Sequence, residues 1–519
     1  MKTRSFFKII TIGLALASLA ASAWAESTKM TYEQTVTLPT MKMTQVTPNQ
    51  ITAPDKIITP AGTFEFFDGV PTKDSAKSVY DYVDRARGVE AFINMIGTVN
   101  MASLRIGAAA IGATEYYQIP SWQGLADSKS LILTGNNTSL YTWSFIDLKK
   151  DGPMVIELPA DVLGFLDDMH FRYITDMGAA GPDKGKGGKY LVLPPGYKGE
   201  IPEGYYVNHS KTYGVWVLMR GYIKTTVKAA ADNIANNLKI YPLAMKDNPK
   251  AMEFINMTGK EGYNSIMPNG FSYFEVLNSI IQEEPNEALD PVTLGLLASI
   301  GIVKGKPFNP TPRMRRLLTE AAQIGTAYAR ANTVYPRDPG HYYYPDTESE
   351  WVMAYADNDT YFLKDGGVRA DSRLWFLYNA IGITPAMALV KPGAGSQYAI
   401  AGLDANHEML DGAKTYKLHL PPNVPVEVNW SVTIYDTQTR SMLQSDQPNA
   451  GVNSLNKDVK KNKDGSYDIY ISPTAPKGKE SNWVQSVPEK SFFIILRAYG
   501  PKEPWLNKTW RPSDLELVK

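Results

Sequence analysis

Two rhythms of apolar and polar residues alternate along the chain. Between residues 76 and 101, Val79, Tyr82, Val83, Ala86, Val89, Phe92, Ile93 and Ile96 recur at intervals of three and four, which predicts an amphipathic helix. From 130 to 217 the pattern changes to short apolar runs, at 131–133, 155–158, 190–193 and 213–218, punctuated by Gly, Pro and Asn, the spacing of a β-sandwich. Helical spacing returns over 223–238 and continues through 270–282, 290–300 and 312–332. The last of these opens on Asn309-Pro310-Thr311-Pro312, a cap followed by proline in the first turn. Residues 351–378 are aromatic and mixed, with turn signals at 357–359 and 365–367. Strand-like runs then reappear at 416–420, 426–435, 467–471 and 491–499, with Lys463-Asp464-Gly465-Ser466 as a turn before the third. The expected fold is β-rich α+β: two antiparallel β-sandwich, jelly-roll-like domains at 66–222 and 351–519, joined by a helical connector at 223–350.

The first residues read differently. Lys2, Arg4 and Lys8 precede an apolar run from Ile9 to Ala21 and the small-residue end Ala23-Trp24-Ala25. This order predicts a signal peptide over 1–25, cleaved after Ala25, and an address in the periplasm or outside the cell. The run falls short of the roughly 20 residues that span a bilayer, so no integral membrane insertion is expected after cleavage. Residues 26–65, rich in Thr, Pro, Lys and Met, are expected to form a loosely docked leader. Lys and Arg number 53 and Asp and Glu 53, so no global attraction to nucleic acid or an anionic membrane is expected. The chain has no cysteine, which removes disulfides, thiolate nucleophiles and cysteine-held iron–sulfur clusters from consideration. No haem or nicotinamide is expected either.

Arginines and one carboxylate are the candidate chemistry. Arg172, Ile174 and Asp176 alternate onto one face of an expected strand, with Tyr173 on the other. There Arg172 can pair with an anion and Asp176 can accept a proton or help to hold Mg²⁺ or Ca²⁺; a structural ion pair is the other reading. Arg220 and Arg497 each end an apolar run, where an arginine either holds a carboxylate or phosphate bidentately or reaches to the sheet rim. Arg313, Arg315 and Arg316 crowd the start of an expected helix. The five histidines, His170, His209, His341, His407 and His419, form no local ligand pair, and no GxSxG nucleophile elbow occurs. Trp430, beside Asn429, is either a sugar-stacking face or a core residue.

A resemblance covers much of the chain. Gly135-Asn136-Asn137-Thr138, Pro153-Met154-Val155-Ile156-Glu157-Leu158-Pro159, Arg172-Tyr173-Ile174-Thr175-Asp176 and Gly187-Gly188-Lys189-Tyr190-Leu191-Val192-Leu193-Pro194-Pro195-Gly196-Tyr197 resemble the bacterial domain of unknown function 1254. Leu410-Asp411-Gly412, Asn429-Trp430-Ser431-Val432-Thr433-Ile434-Tyr435-Asp436 and Leu496-Arg497-Ala498-Tyr499-Gly500-Pro501 resemble its companion, domain of unknown function 1214. The family commonly has Pro-Asp-Asn-Asp-Thr where this chain has Thr-Gly-Asn-Asn-Thr, so that loop loses its carboxylates while keeping Asn137, a candidate ligand contact. The resemblance implies two sandwiches joined by helices and names no reaction.

Two functions fit. One is a protein that binds a small anionic molecule through Arg172, Arg220, Arg497 and Asn137, with metal-assisted hydrolysis of a phosphate ester or nucleotide at Asp176 as its catalytic form. The other is a non-catalytic protein that binds glycans or envelope components with Trp430. Either is compatible with a homo-oligomer, and neither involves nucleic acid.

Overall fold

The computed structural model describes residues 41–518. The expected signal peptide, its cleavage site and the leader up to residue 40 lie outside the described residues. The fold is α+β and rich in strands. Two units divide the chain, Met1–Asp84 and Arg85–Lys519. Among the described residues no helix is long and apolar enough to cross a membrane.

In the first unit, strands Lys56–Thr59, Gly62–Phe67 and Val70–Pro71 form a three-stranded antiparallel sheet. Asp68 and Gly69 both have positive φ, which suits the two-residue turn that joins the last two strands. Part of the segment expected to be a loose leader is therefore ordered into strands. Their side chains are largely exposed, so the sequence carried little apolar period there.

The second unit holds most of helix Lys73–Ala110 and two pairs of sheets. Strand Gly214–Gly221 lies between Leu140–Asp147 and Val162–Asp168 in a six-stranded sheet. Val215, Val217 and Met219 point to one face and pack with Met154, Ile156 and Val192 of a four-stranded sheet. Trp216 and Leu218 point to the other, with Trp143, into a core shared with the helices. The second pair repeats this logic. Strand Phe492–Pro501 lies between Ser396–Ala401 and Val426–Asp436, and it is buried at nearly every position, as a central strand covered on both faces must be. Val432, Ile434, Ile494 and Leu496 pack with Leu418, Ile469 and Ile471 of another four-stranded sheet. The intervening residues 493, 495 and 497 face the opposite way.

The expected helices form as Val227–Asn237, Ser272–Glu283, Pro291–Ser299 and Pro312–Val334. The cap read in the sequence is present: Thr311 Oγ1 accepts the Met314 N–H at 3.2 Å, with Pro312 in the first turn. Thr311→Ala should lower the unfolding free energy by about 1 kcal/mol, read as a shifted urea midpoint with an unchanged slope. Arg315 and Arg316, expected near this helix start, pair with Glu275 and Glu320.

Candidate functional site

Arg220 and Arg497 lie near the ends of the two central strands, each directly opposite a tyrosine: Arg220 faces Tyr141 and Arg497 faces Tyr398. Both line one small cavity of about 60 Å³. Such a volume holds a small oxyanion or a few waters, since one water needs roughly 10–15 Å³. The other walls are mainly apolar and come from Trp375, Phe376, Ile381, Ile400, Phe493 and Ile495.

The loop at 134–138 is pinned over this cavity. Arg497 Nη2 donates to the Thr134 carbonyl at 2.7 Å and Nη1 donates to Tyr435 Oη at 2.7 Å. Tyr435 in turn donates to the Gly135 carbonyl at 2.6 Å, and Thr138 Oγ1 donates to Tyr499 Oη at 3.1 Å. Asn136 donates to Tyr141 Oη through its side chain at 2.9 Å. Thr134 has a φ of 41°, a costly conformation for a β-branched residue. Its N–H and hydroxyl are held by the carbonyls of Arg440 and Asn379, at 2.7 and 2.8 Å, so the surrounding bonds fix the strained turn.

The charge balance is unusual. No lining residue is a carboxylate, and among the described residues neither arginine forms an ion pair. Burial works against the Arg497 charge, and Tyr435, Tyr499, Tyr141 and Tyr398 around it act the other way, so the guanidinium stays charged. Burial pushes Tyr499 up to about 12 and Tyr435 in the same direction, so neither supplies a counter-charge near neutral pH. Arg220 Nε has no protein partner among the described residues; its guanidinium lies 5.3 Å from the Tyr141 ring centroid. On the sheet face that carries Arg497, Ser431 Oγ and Asn429 Nδ2 are also buried without hydrogen-bond partners among the described residues.

The other candidates lie elsewhere. Arg172 pairs with Asp168 at 2.7 Å and donates to the Ala288 carbonyl, and it lines a separate cavity with Tyr173. Asp176 accepts from Thr384 Oγ1 at 2.5 Å and from Tyr173 Oη at 3.2 Å; burial raises its pKa. Tyr173 and Asp176 thus meet, where simple alternation placed them on opposite faces. The cause is a bulge: Asp167 pairs with Tyr173 and Leu166 with Thr175, leaving Ile174 as the extra residue that shifts the phase. Asn137 is buried in the 134–138 loop, while Asn136 reaches the cavity. Trp430, the candidate stacking face, is only 2% exposed and sits edge-on to Tyr467 inside the second sheet pair, where no sugar ring can reach it. His341 is likewise buried, its ring tilted against Trp375 and its Nδ1 bonded to the Met353 carbonyl. Among the described residues no group of three or more His, Asp or Glu side chains is placed to hold a metal ion. Tyr141, Tyr398, Tyr435 and Tyr499 escaped sequence reasoning as site residues. The one local signal was Tyr499, two residues beyond Arg497 on the same strand; Tyr141, Tyr398 and Tyr435 come from neighbouring strands.

Residues 117–242 match the family model for a protein of unknown function, DUF1254, and residues 395–503 match that for a second, DUF1214. The chain carries both domains, in that order. Arg220 and Tyr141 belong to the DUF1254 domain, and Tyr398, Tyr435, Arg497 and Tyr499 to the DUF1214 domain, so the cavity lies where the two meet. Among solved structures, the chain is similar to the VPA0106 protein from Vibrio parahaemolyticus, at 19% identity and a TM-score of 0.49, covering 84% of this chain and 100% of that one. It is also similar to an uncharacterised protein from Burkholderia cenocepacia, at 12% identity and a TM-score of 0.38, covering 85% and 96%. No curated protein matches the sequence.

Proposed function

We propose that the protein binds a small anion, presented as a carboxylate or phosphate group, in the cavity between its DUF1254 and DUF1214 domains. One observation carries this reading: two charged guanidiniums line a mostly apolar cavity that contains no carboxylate. Removing a charge from water without a partner is expensive, and an anion that accepts from both arginines would offset that cost. Binding is the activity proposed. Metal-assisted hydrolysis would have to draw its carboxylate from outside this cavity, since Asp176 does not line it.

The same reading takes both domains as β-sandwiches and the chain as exported. The apolar core shared by the six- and four-stranded sheets supports the first, and the basic, apolar, small-residue order of the leader supports the second.

Thermal and urea unfolding with phosphate, sulfate, acetate and benzoate tests the binding site. An anion at a hundredfold its Kd should raise stability by about 2.7 kcal/mol, and Arg497→Met should abolish that rise. A wild-type protein indifferent to all four anions, or an Arg497→Met variant that still responds fully, would sink the proposal.

A further inference from the structure

A second and larger cavity, of about 570 Å³, opens on the other side of helix Ala370–Asn379 and the segment that follows it. Trp375, Phe376, Asn379, Ile381 and Gly382 face the junction cavity, whereas Arg373, Leu377, Ile383 and Pro385 face this one. We infer that it is a distinct binding site for an aromatic molecule bearing a phosphate or carboxylate. Its volume falls in the range of small-molecule sites, about 300–1,000 Å³.

Three cations line it: Arg172, Lys211 and Arg373. Arg172 is neutralised by Asp168. Arg373 donates to Asn94 Oδ1 at 2.7 Å, and among the described residues neither Arg373 nor Lys211 forms an ion pair. The one carboxylate in the lining, Asp290, is occupied by the Val292 and Thr293 N–H groups and the Thr293 hydroxyl at the start of helix Pro291–Ser299. Two cations thus stand against a single committed anion, which selects for a negative ligand.

The second observation is His170. Its ring is buried, Thr98 Oγ1 lies 2.8 Å from Nδ1, and Nε2 has no protein partner among the described residues. Burial pushes the imidazole down to about 4, so the ring is neutral near pH 7. Whichever nitrogen carries the proton, the neutral ring adds a polar, uncharged wall to the cavity. Phe171, Tyr173 and Tyr361 supply aromatic walls for a planar group. This site does not depend on the junction cavity.

Calorimetric titration of the full chain with phenyl phosphate, and in parallel with inorganic phosphate, tests the inference. Phenyl phosphate should bind saturably and more tightly than inorganic phosphate. Arg373→Ala should weaken it about tenfold, a change of about 1.4 kcal/mol, and the titration is repeated in Arg497→Met so that any binding at the junction cavity is counted separately. Because Arg373 also holds Asn94, the exposed Lys211→Ala serves as a second variant that leaves the fold intact, with a few-fold loss expected. Full affinity in both Arg373→Ala and Lys211→Ala, loss confined to Arg497→Met, or the absence of saturable binding to wild type would each overturn the site. Equal affinity for inorganic phosphate would overturn its aromatic part.

Discussion

Arg220→Met is expected to make the anion-free protein more stable, by about 1–4 kcal/mol, while removing its response to the anion that stabilises wild type. The sign follows from the surroundings of the side chain. Arg220 ends strand Gly214–Gly221 with Nε unpartnered and no ion pair among the described residues. Its visible compensation is the Tyr141 ring at 5.3 Å and the nearby Tyr398 hydroxyl. A cation over an aromatic face contributes about 0.5–2 kcal/mol, less than the several kcal/mol lost when an ion leaves water. Methionine keeps most of the volume against the apolar walls and carries no charge to desolvate. The measurement is urea unfolding of both proteins in buffer free of phosphate and small carboxylates, repeated at saturating anion. If Arg220→Met were destabilised in the anion-free buffer, the guanidinium would be a structural element of the domain junction and the site would lose its argument.

The reversal of sign also separates two readings that the sequence left equal. An arginine at the end of an apolar run is either a strut at the sheet rim or a ligand for an anion, and a one-dimensional pattern contains no information about its partners. The strand positions themselves were legible, because continuous apolar runs at 213–218 and 491–499 become central strands covered on both faces. The helices were legible for a similar reason, since Pro312–Val334 keeps a buried face of Leu317, Leu318, Ala321, Ala322 and Ala329. Helix Ala370–Asn379 was not. Residues 374–379 are buried all round, so no polar face marks a period, yet this helix forms a wall of both cavities. The pairing of Tyr173 with Asp176 was hidden by a single bulged residue, which reverses the phase of every alternation argument beyond it. Convergence of Arg220 with Arg497 depends on how two domains meet. Nothing local in the chain encodes that.

Glu284 should make the protein lose stability as pH rises from about 4.5 to 7. Its carboxylate is buried at the head of the strand that carries Arg220, accepting the Tyr213 N–H at 2.5 Å and the Gly214 N–H at 3.0 Å. Burial is the largest influence and raises its pKa; the two N–H donors and Arg105 oppose this and Glu283 adds to it, leaving the group at about 7 against an ordinary 4.5. The folded state therefore holds a proton that the unfolded state has released across this window. Where the native state binds more protons, stability falls with rising pH. The favourable contribution is complete below pH 4.5 and gone once pH has passed through 7, a span worth about 3 kcal/mol. Other carboxylates titrate at the acid end, so the quantity to follow is the difference between wild type and Glu284→Gln. The amide keeps the volume but accepts only one of the two N–H groups well, which lowers its stability by a constant amount of about 1–3 kcal/mol. On that constant the wild-type advantage should be largest near pH 5 and shrink by pH 8. A difference that stays level from pH 5 to pH 8 would mean that Glu284 is already ionised in the acid range, and that the start of this strand is held by a charged carboxylate throughout.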